Sequence, residues 1–161
     1  MKSDREYIEM ALDYAKRHAV GEEGQVGAVL VKDGEIVASG ASNDPRGIHA
    51  EQAVIKAAGN QTEDSTLYVT IQPSLYRTDE ANKSDSEEII EAGIKRVVVG
   101  SINEKYSLEE SKKFFADRRV EFVLIEDKSL ADKCLEFFVS TGADQTPKIL
   151  SVLIGLFTLT N

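Results

Sequence analysis

The decisive stretch of this sequence is Gly47-Ile48-His49-Ala50-Glu51-Gln52-Ala53, which places a histidine and a carboxylate where a predicted helix begins. A second stretch, Thr70-Ile71-Gln72-Pro73-Ser74, ends a predicted strand with proline, which does not continue a central strand. His49 and Glu51 are two residues apart, so their side chains can converge only at the N-terminal end of the helix. The helix dipole stabilises a hydroxide or an anionic ligand there. The first stretch therefore predicts a site at the start of this helix.

A helix and a β-hairpin are predicted before this site. Ser3-Asp4-Arg5-Glu6 is a capping box that starts the helix. Residues 26–31 and 35–40 are β-like runs joined by Asp33-Gly34, a dipeptide that favours a two-residue turn because both central positions need positive φ. The hairpin supplies antiparallel pairing to the sheet.

Helices and strands alternate after the hairpin. Two overlapping caps, Ser84 with Glu87 and Asp85 with Glu88, support a helix start near residue 84. Each strand-helix-strand unit should cross over right-handed into parallel pairing. We predict an α/β fold, a three-layer α/β/α sandwich with a mixed five-stranded sheet, formed by a single domain over residues 1–145. The expected order is helix 48–58, strand 66–71, helix 84–93, strand 94–99, a helix from Ser107, strand 120–125 and a last helix through Leu130 and Phe138.

Composition excludes several classes of partner. The chain has 161 residues and a formal net charge of -9, without a cluster of basic residues. Nucleic acids and anionic membrane surfaces are bound largely through basic side chains, so we expect neither as a partner. The N-terminus lacks the apolar core of a signal peptide, which predicts a cytoplasmic protein.

Residues 146–161 form an apolar C-terminal tail. Its most apolar part, residues 149–159, is too short to span a bilayer as a helix. The tail could be a helix docked on the domain or a contact with a second subunit. Its apolar side chains would leave an exposed patch on a monomer, so we expect a homo-oligomer, most simply a dimer.

Five segments of the chain carry a resemblance to a known family. They are Met10-Ala11-Leu12, Val26-Gly27-Ala28-Val29-Leu30-Val31-Lys32-Asp33-Gly34, His49-Ala50-Glu51, Pro73 followed by Tyr76-Arg77-Thr78, and Ala92-Gly93-Ile94-Lys95-Arg96-Val97-Val98-Val99. Residues 7–126 resemble the deaminase domain of the cytidine-deaminase-like superfamily. They are most similar to the pyrimidine deaminase domain of the bifunctional riboflavin-biosynthesis deaminase/reductase. The resemblance implies an ancestral zinc-dependent hydrolytic deaminase, in which His-x-Glu is paired with a later Pro-Cys-x-x-Cys.

The resemblance also implies a role for individual residues. His49 falls on the family's histidine ligand and Glu51 on its proton-shuttling glutamate. The family's first cysteine falls on Ser74 and its second near Asp85. The substrate-contacting asparagine of the family's Pro-Asn-Pro is replaced within Glu22-Glu23-Gly24. The scaffold is therefore kept while the metal ligands are changed.

A set of histidine, serine and aspartate is a hard-oxygen site, far poorer for Zn²⁺ than two thiolates. We therefore expect no cofactor, and zinc only if the site is functional, with Ser74 and Asp85 as weak ligands beside His49. Cys134 lies on the inner stripe of another predicted helix and is expected to be a core residue. His18, near the end of the first helix, is expected to interact with the helix C-terminus.

The remaining candidates are ligand-binding residues. Arg77, beside Tyr76 and Thr78, could bind a phosphate or carboxylate through its fork or lie solvated on its polar loop. Asn43 lies in the turn-rich loop before His49, and Glu23 lies in the replaced substrate-contacting segment.

Three functions follow, in order of preference. The first is a degenerate, zinc-free deaminase fold that binds a nucleotide- or pyrimidine-like small molecule or acts as a non-catalytic partner. The second is an active metal-dependent deaminase of a nucleobase- or nucleotide-like amine, using His49 and Glu51. The third is a structural homodimeric interaction module.

Overall fold

The computed structural model describes residues 1–21, 23–43, 46–77 and 81–142. The predictions for Thr78, Glu22 and the tail at 146–161 lie outside these residues. The described helices and strands, in chain order, are α1 (Asp4–His18), β1 (Gly27–Lys32), β2 (Glu35–Ala41), α2 (Ala50–Ala58), β3 (Thr66–Ile71), α3 (Asp85–Glu91), β4 (Arg96–Ser101), α4 (Leu108–Ala116), β5 (Glu121–Leu124) and α5 (Lys128–Thr141).

The five strands form one mixed sheet in the order β2-β1-β3-β4-β5. β1 is antiparallel to both β2 and β3, and β3, β4 and β5 run parallel to one another. This arrangement confirms the predicted α/β fold with a mixed five-stranded sheet. The parallel half follows from the helical connections, because parallel neighbours need a crossover.

Local sequence explains where the elements begin and turn. Asp33 and Gly34 form the β1–β2 turn with φ of 51° and 77°, as the dipeptide predicts. Ser3, Ser84 and Ser107 each cap a helix, and each accepts a hydrogen bond from the backbone of a glutamate three residues later. Of the two overlapping caps predicted near residue 84, the helix uses the first, with Ser84 as N-cap.

Helices cover both faces of the sheet. α1 and α5 pack on one face, where Ile8, Leu12 and Leu130 join the buried cluster. α2, α3 and α4 supply buried apolar residues to the other face, including Val54, Ile89 and Phe115. Because both faces are covered, β3 and β4 are buried almost throughout, which is typical of parallel strands.

A cleft lies at the edge of the sheet where β3 and β4 end. The segments that follow these two strands contribute to its lining. Pro73 and Ser74 follow β3, and the backbone N–H of Ser86 donates a 3.1 Å hydrogen bond to the Ser74 carbonyl. The N-terminal end of α3 thus lies beside the end of β3. Among the described helices, none is both long and apolar enough to cross a membrane.

Candidate functional site

Three segments that are distant in sequence bring their polar side chains together. His49 is the N-cap residue of α2, with extended backbone angles, and Glu51 lies in the first turn of that helix. Ser74 follows β3, and Asp85 is the first residue of α3. Gln52 fixes the start of α2, since its side chain accepts a 3.0 Å hydrogen bond from the His49 backbone N–H. The structure therefore brings together the two stretches from which the site was predicted.

The His49, Asp85 and Ser74 side chains form a hydrogen-bonded chain. Nδ1 of His49 lies 2.9 and 3.0 Å from the two carboxylate oxygens of Asp85. The Ser74 hydroxyl donates to Oδ2 of the same carboxylate at 2.9 Å, and its oxygen lies 3.4 Å from the Asp85 backbone nitrogen. Both carboxylate oxygens of Asp85 thus have partners, which a buried charge requires.

Asp85 and His49 stabilise each other's charged form. The hydrogen bond to Asp85 is the main cause that raises the pKa of His49 to about 9. Burial alone raises the pKa of the Asp85 carboxyl, but the hydrogen bonds from His49 and Ser74 outweigh it and hold that pKa below its usual range. At neutral pH the pair is therefore an ion pair of imidazolium and carboxylate, with Asp85 buried and His49 partly exposed.

Glu51 is in the opposite situation. Its side chain is 4% exposed, and burial, followed by the nearby charge of Asp85, raises the pKa of its carboxyl to about 8. The acid is therefore largely protonated at neutral pH and can donate as well as accept a hydrogen bond. Ligating atoms of His49, Glu51 and Asp85 lie within 4.8 Å of one another, which makes these three the described residues that could hold a metal ion.

A cleft of about 540 Å³ opens over these groups. Arg77 and Glu23, two of the predicted ligand-binding residues, line it together with His49, Glu51 and Asp85. The guanidinium of Arg77 lies close enough to oppose the protonation of His49. The cleft therefore combines a polar floor, formed by His49, Glu51, Ser74 and Asp85, with a cation at its wall.

Two other predicted ligand-binding residues lie elsewhere. Tyr76 is 62% exposed, and its ring packs edge-on against Tyr106 and Phe114 at 6.1 and 5.8 Å. Asn43 bonds through its backbone to Ile48 and Arg46. Neither Tyr76 nor Asn43 is among the described residues that line the cleft.

Sequence reasoning missed several residues that do line the cleft. Gln72 lies inside the second decisive stretch but had no predicted role, and Asn103, Lys105 and Tyr106 follow β4 directly. Parallel strands present their carboxyl ends at one edge of a sheet, so the segment after β4 could have been predicted beside that after β3. Phe138 lies on the last predicted helix, and no signal in the sequence placed it at the cleft.

Cys134 and His18 lie where the sequence predicted. Cys134 is 1% exposed on α5, and burial raises the pKa of its thiol to about 12, so it is a core residue. His18 lies in the last turn of α1 and its ring packs on Tyr14 at 4.3 Å. Neither lies among the described residues that line the cleft.

Comparison with known proteins gives this site a family. A family model described as the zinc-binding region of cytidine and deoxycytidylate deaminases matches residues 1–101. The chain belongs to this deaminase family. That span contains the hairpin, both decisive stretches and all four residues of the polar floor, so the match covers the site as well as the scaffold.

Individual relatives in the deaminase family confirm the resemblance to the riboflavin-pathway pyrimidine deaminase domain. The riboflavin biosynthesis protein RibD of Aquifex aeolicus is 36% identical over 104 residues, which are 62% of this chain and 28% of that protein. The chain thus spans little more than a quarter of the length of that relative.

Solved structures of deaminases share the fold. One is the Thermotoga maritima diaminohydroxyphosphoribosylaminopyrimidine deaminase/5-amino-6-(5-phosphoribosylamino)uracil reductase, at 27% identity and a TM-score of 0.65, covering 86% of this chain and 41% of that one. A structure of Acinetobacter baumannii RibD superposes with a TM-score of 0.71 at 24% identity, covering 88% of this chain and 40% of that one. The similarity to the Acinetobacter structure, at 24% identity, is evidence for a shared fold only.

Proposed function

We propose that this chain is a metal-free member of the deaminase family that binds a pyrimidine nucleotide-like small molecule without hydrolysing it. The observation that carries the proposal is the His49–Asp85–Ser74 chain of hydrogen bonds. An ion pair and a hydroxyl stand where the resemblance implies one imidazole and two thiolates around zinc. The negative charge of Asp85, which a metal ion would balance, is balanced by the protonated imidazole of His49.

The donor chemistry supports the absence of zinc from the working protein. A serine hydroxyl is not ionised near neutral pH and is not among the usual zinc ligands. The imidazole nitrogen nearest to Asp85 lies only 2.9 Å from a carboxylate oxygen, shorter than the separation of about 3.3 Å between two ligands held tetrahedrally at about 2.0–2.1 Å from zinc. Binding zinc would cost the hydrogen bonds that satisfy buried Asp85. These residues fit the family's metal poorly.

The lining of the cleft suits a phosphorylated planar ligand. Arg77 and Lys105 are cations at the wall, and a guanidinium binds phosphate oxygens through two parallel hydrogen bonds. Val26, Ile71 and Phe138 supply apolar lining against which a heterocycle can pack. The substrate in the name of the Thermotoga relative is a phosphoribosylated aminopyrimidine, a molecule of this class.

The second candidate, a metal-dependent deaminase, rests on Glu51. A buried carboxyl with a pKa of about 8 is suited to shuttling a proton from water to a leaving amine at neutral pH. With a metal held by His49 and Asp85, this group would supply the acid-base chemistry of hydrolysis. This candidate predicts a stoichiometric metal and release of ammonia that Glu51→Gln abolishes.

Elemental analysis and calorimetry separate the two candidates. Protein is purified untagged after growth with added zinc, beside a His49→Ala control, and titrated with cytidine 5′-monophosphate while ammonia is assayed. We expect no metal in either protein, binding of the nucleotide and no ammonia. About one zinc per chain that is lost in His49→Ala, with ammonia released, would replace the proposal with the second candidate. No metal, no ammonia and no binding would refute both candidates for this nucleotide.

A further inference from the structure

Gln72 is a buried residue in the lining of the cleft, and its side-chain amide has one hydrogen-bonding atom without a described partner. The side chain is 5% exposed and lines the cleft. Its Nε2 donates to Oγ of Ser111 and, at 3.4 Å, to the backbone carbonyl of Tyr106. Its carbonyl oxygen Oε1 is buried and has no hydrogen-bond partner among the residues that the structure describes.

The orientation of this amide is fixed by its neighbours. The Tyr106 carbonyl can only accept a hydrogen bond, so the amide nitrogen of Gln72 must face it. The backbone also holds the residue in place, because the Gln72 N–H donates a 3.0 Å hydrogen bond to the Ser101 carbonyl. The oxygen is therefore left as an acceptor, and a buried acceptor without a partner costs the free energy of its lost hydration.

We propose that Oε1 of Gln72 accepts a hydrogen bond from an N–H group of the ligand, so that the cleft selects nitrogen heterocycles that carry such a donor. This inference rests on the proposed function, which supplies the ligand class. It adds Gln72 as the residue that recognises the heterocycle by a hydrogen bond. Apolar Ile71 also lines the cleft and offers a heterocycle a packing surface beside Gln72. An aliphatic phosphate without an N–H group would leave Oε1 unpaired.

Methylated nucleotides test the contact directly. The probes are uridine 5′-monophosphate with its 3-methyl analogue and cytidine 5′-monophosphate with its N4,N4-dimethyl analogue, titrated by calorimetry. In each pair, methylation removes the N–H donors of the base and leaves the phosphate. We expect methylation to weaken binding to the wild-type protein about tenfold in at least one pair, since one hydrogen bond to a buried acceptor is lost.

Variants of Gln72 assign that discrimination to its side chain. In Gln72→Met, which keeps the shape without the acceptor, parent and methylated nucleotides should bind within about threefold of each other. The matched control is Gln61→Met, the same substitution at an exposed glutamine outside the cleft, which should behave as wild type. Undiminished discrimination in Gln72→Met, or none in the wild type, would overturn the inference while leaving the proposed function standing.

The ligand-free protein gives a second, independent readout. A residue kept for a ligand should contribute little to folding, so we expect Gln72→Met/Ser111→Ala to melt within about 3 °C of wild type or above it. If no probe binds the wild-type protein, the proposed function fails for these ligands and this comparison decides the role of Gln72. A fall of more than about 3 °C would make Gln72 a structural residue and overturn the inference.

Discussion

The protonation states of His49 and Glu51 make the stability of the folded protein depend on pH. His49 gains an anionic partner in the folded protein, and Glu51 loses its hydration there. Both effects raise a pKa, to about 9 and about 8 respectively. The folded protein therefore binds more protons than the unfolded chain between about pH 4.5 and pH 9, where the ordinary values are 4.5 and 6.5.

Stability is expected to fall as pH rises through this window. A group whose folded pKa is raised contributes stability that is present below its unfolded pKa and lost as pH rises through its folded pKa. Because His49 is partly exposed, solvent screening reduces its effect, and the buried Glu51 dominates. We expect the free energy of unfolding to decrease by on the order of 3 kcal/mol between pH 6 and pH 9. Urea denaturation at the two pH values measures it.

Substitutions at the same residues serve as controls for this pH dependence. Glu51→Gln removes one titrating group, and Asp85→Asn removes the partner that raises the pKa of His49, so each should flatten the profile. A wild-type stability that rises toward pH 9 would contradict the assignment of an ion pair to His49 and Asp85.

At the scale of elements, α1 lies directly on β1 because Gly27 has no side chain. A Cβ added to Gly27 would lie 2.1 Å from the Ala11 carbonyl oxygen and 2.8 Å from the Ala15 Cβ. These atoms belong to the buried face of a helix and cannot rotate away. We expect Gly27→Ala to lower the free energy of unfolding by about 3 kcal/mol, measured by chemical denaturation.

A second glycine serves as the matched control for this packing effect. Gly142 has φ of -78° and ψ of 142°, an extended backbone that any residue adopts, and a Cβ added there would come no closer than 3.7 Å to a described heavy atom. Gly142→Ala should therefore change the free energy of unfolding by no more than about 1 kcal/mol. Equal losses in the Gly27 and Gly142 variants would mean that α1 is not held by close packing on β1.

The start of α3 positions Asp85, and its cap can be removed. Ser84→Ala deletes the hydroxyl that accepts the Glu87 N–H at 3.1 Å, at a cost of about 1 kcal/mol. The loosened first turn should weaken the His49–Asp85 contact and lower the pKa of His49, measured by NMR titration of its ring. Ser107→Ala deletes the equivalent cap of α4 and should leave that pKa unchanged. A change of the same size in both variants would refute a local effect.

Helix boundaries and the two-residue turn were predictable from sequence because caps and turn residues act over a few positions. The β1–β2 hairpin, the strand at 66–71 and the three serine capping boxes were all predicted and are present. Asp85 was read as a second cap for its helix, but its carboxylate bonds to His49 and Ser74. The competing partners come from other segments, which a local pattern cannot reveal.

At the scale of the whole molecule, one ion pair joins the start of the chain to the middle of the sheet. Arg96 on β4 donates to both carboxylate oxygens of Asp4 at 2.8 and 2.7 Å, and the Tyr68 hydroxyl donates to the same carboxylate at 2.9 Å. The Arg96 hydrogen bond, opposed by burial, holds the pKa of Asp4 below its usual range. Its stabilisation is present above the unfolded pKa and is lost as the protein is acidified.

A double-mutant cycle measures this long-range pair. Asp4→Ala, Arg96→Ala and the double variant should give a coupling of about 1 kcal/mol in the free energy of unfolding, because the pair is bidentate and partly buried. The pair of Lys95 and Asp64 at 2.8 Å is mostly exposed and is the matched control, with an expected coupling near zero. Equal coupling energies for the two pairs would contradict the view that partial burial strengthens the Asp4–Arg96 pair.

The oligomeric state remains a prediction, because the apolar tail at 146–161 lies outside the described residues. The predicted dimer would dissociate on removal of the chain from Pro147 and would survive His49→Ala, which sedimentation velocity can measure. The expectations of a single domain and of a cytoplasmic location likewise stay predictions.

The sequence by itself determined the elements, the hairpin, the mixed sheet and the family, because periodicity, caps, turn dipeptides and motifs are properties of short segments. It also predicted which residues replace the thiolates of the family. Only the tertiary structure decided how those residues meet. It closed the His49–Asp85–Ser74 chain of hydrogen bonds across three segments, and it paired Gln72 with Ser111, 39 residues away. The same packing places Tyr76 against Tyr106 and Phe114 and Arg77 in the lining of the cleft. The direction of neighbouring side chains on a loop depends on contacts that come from elsewhere in the chain.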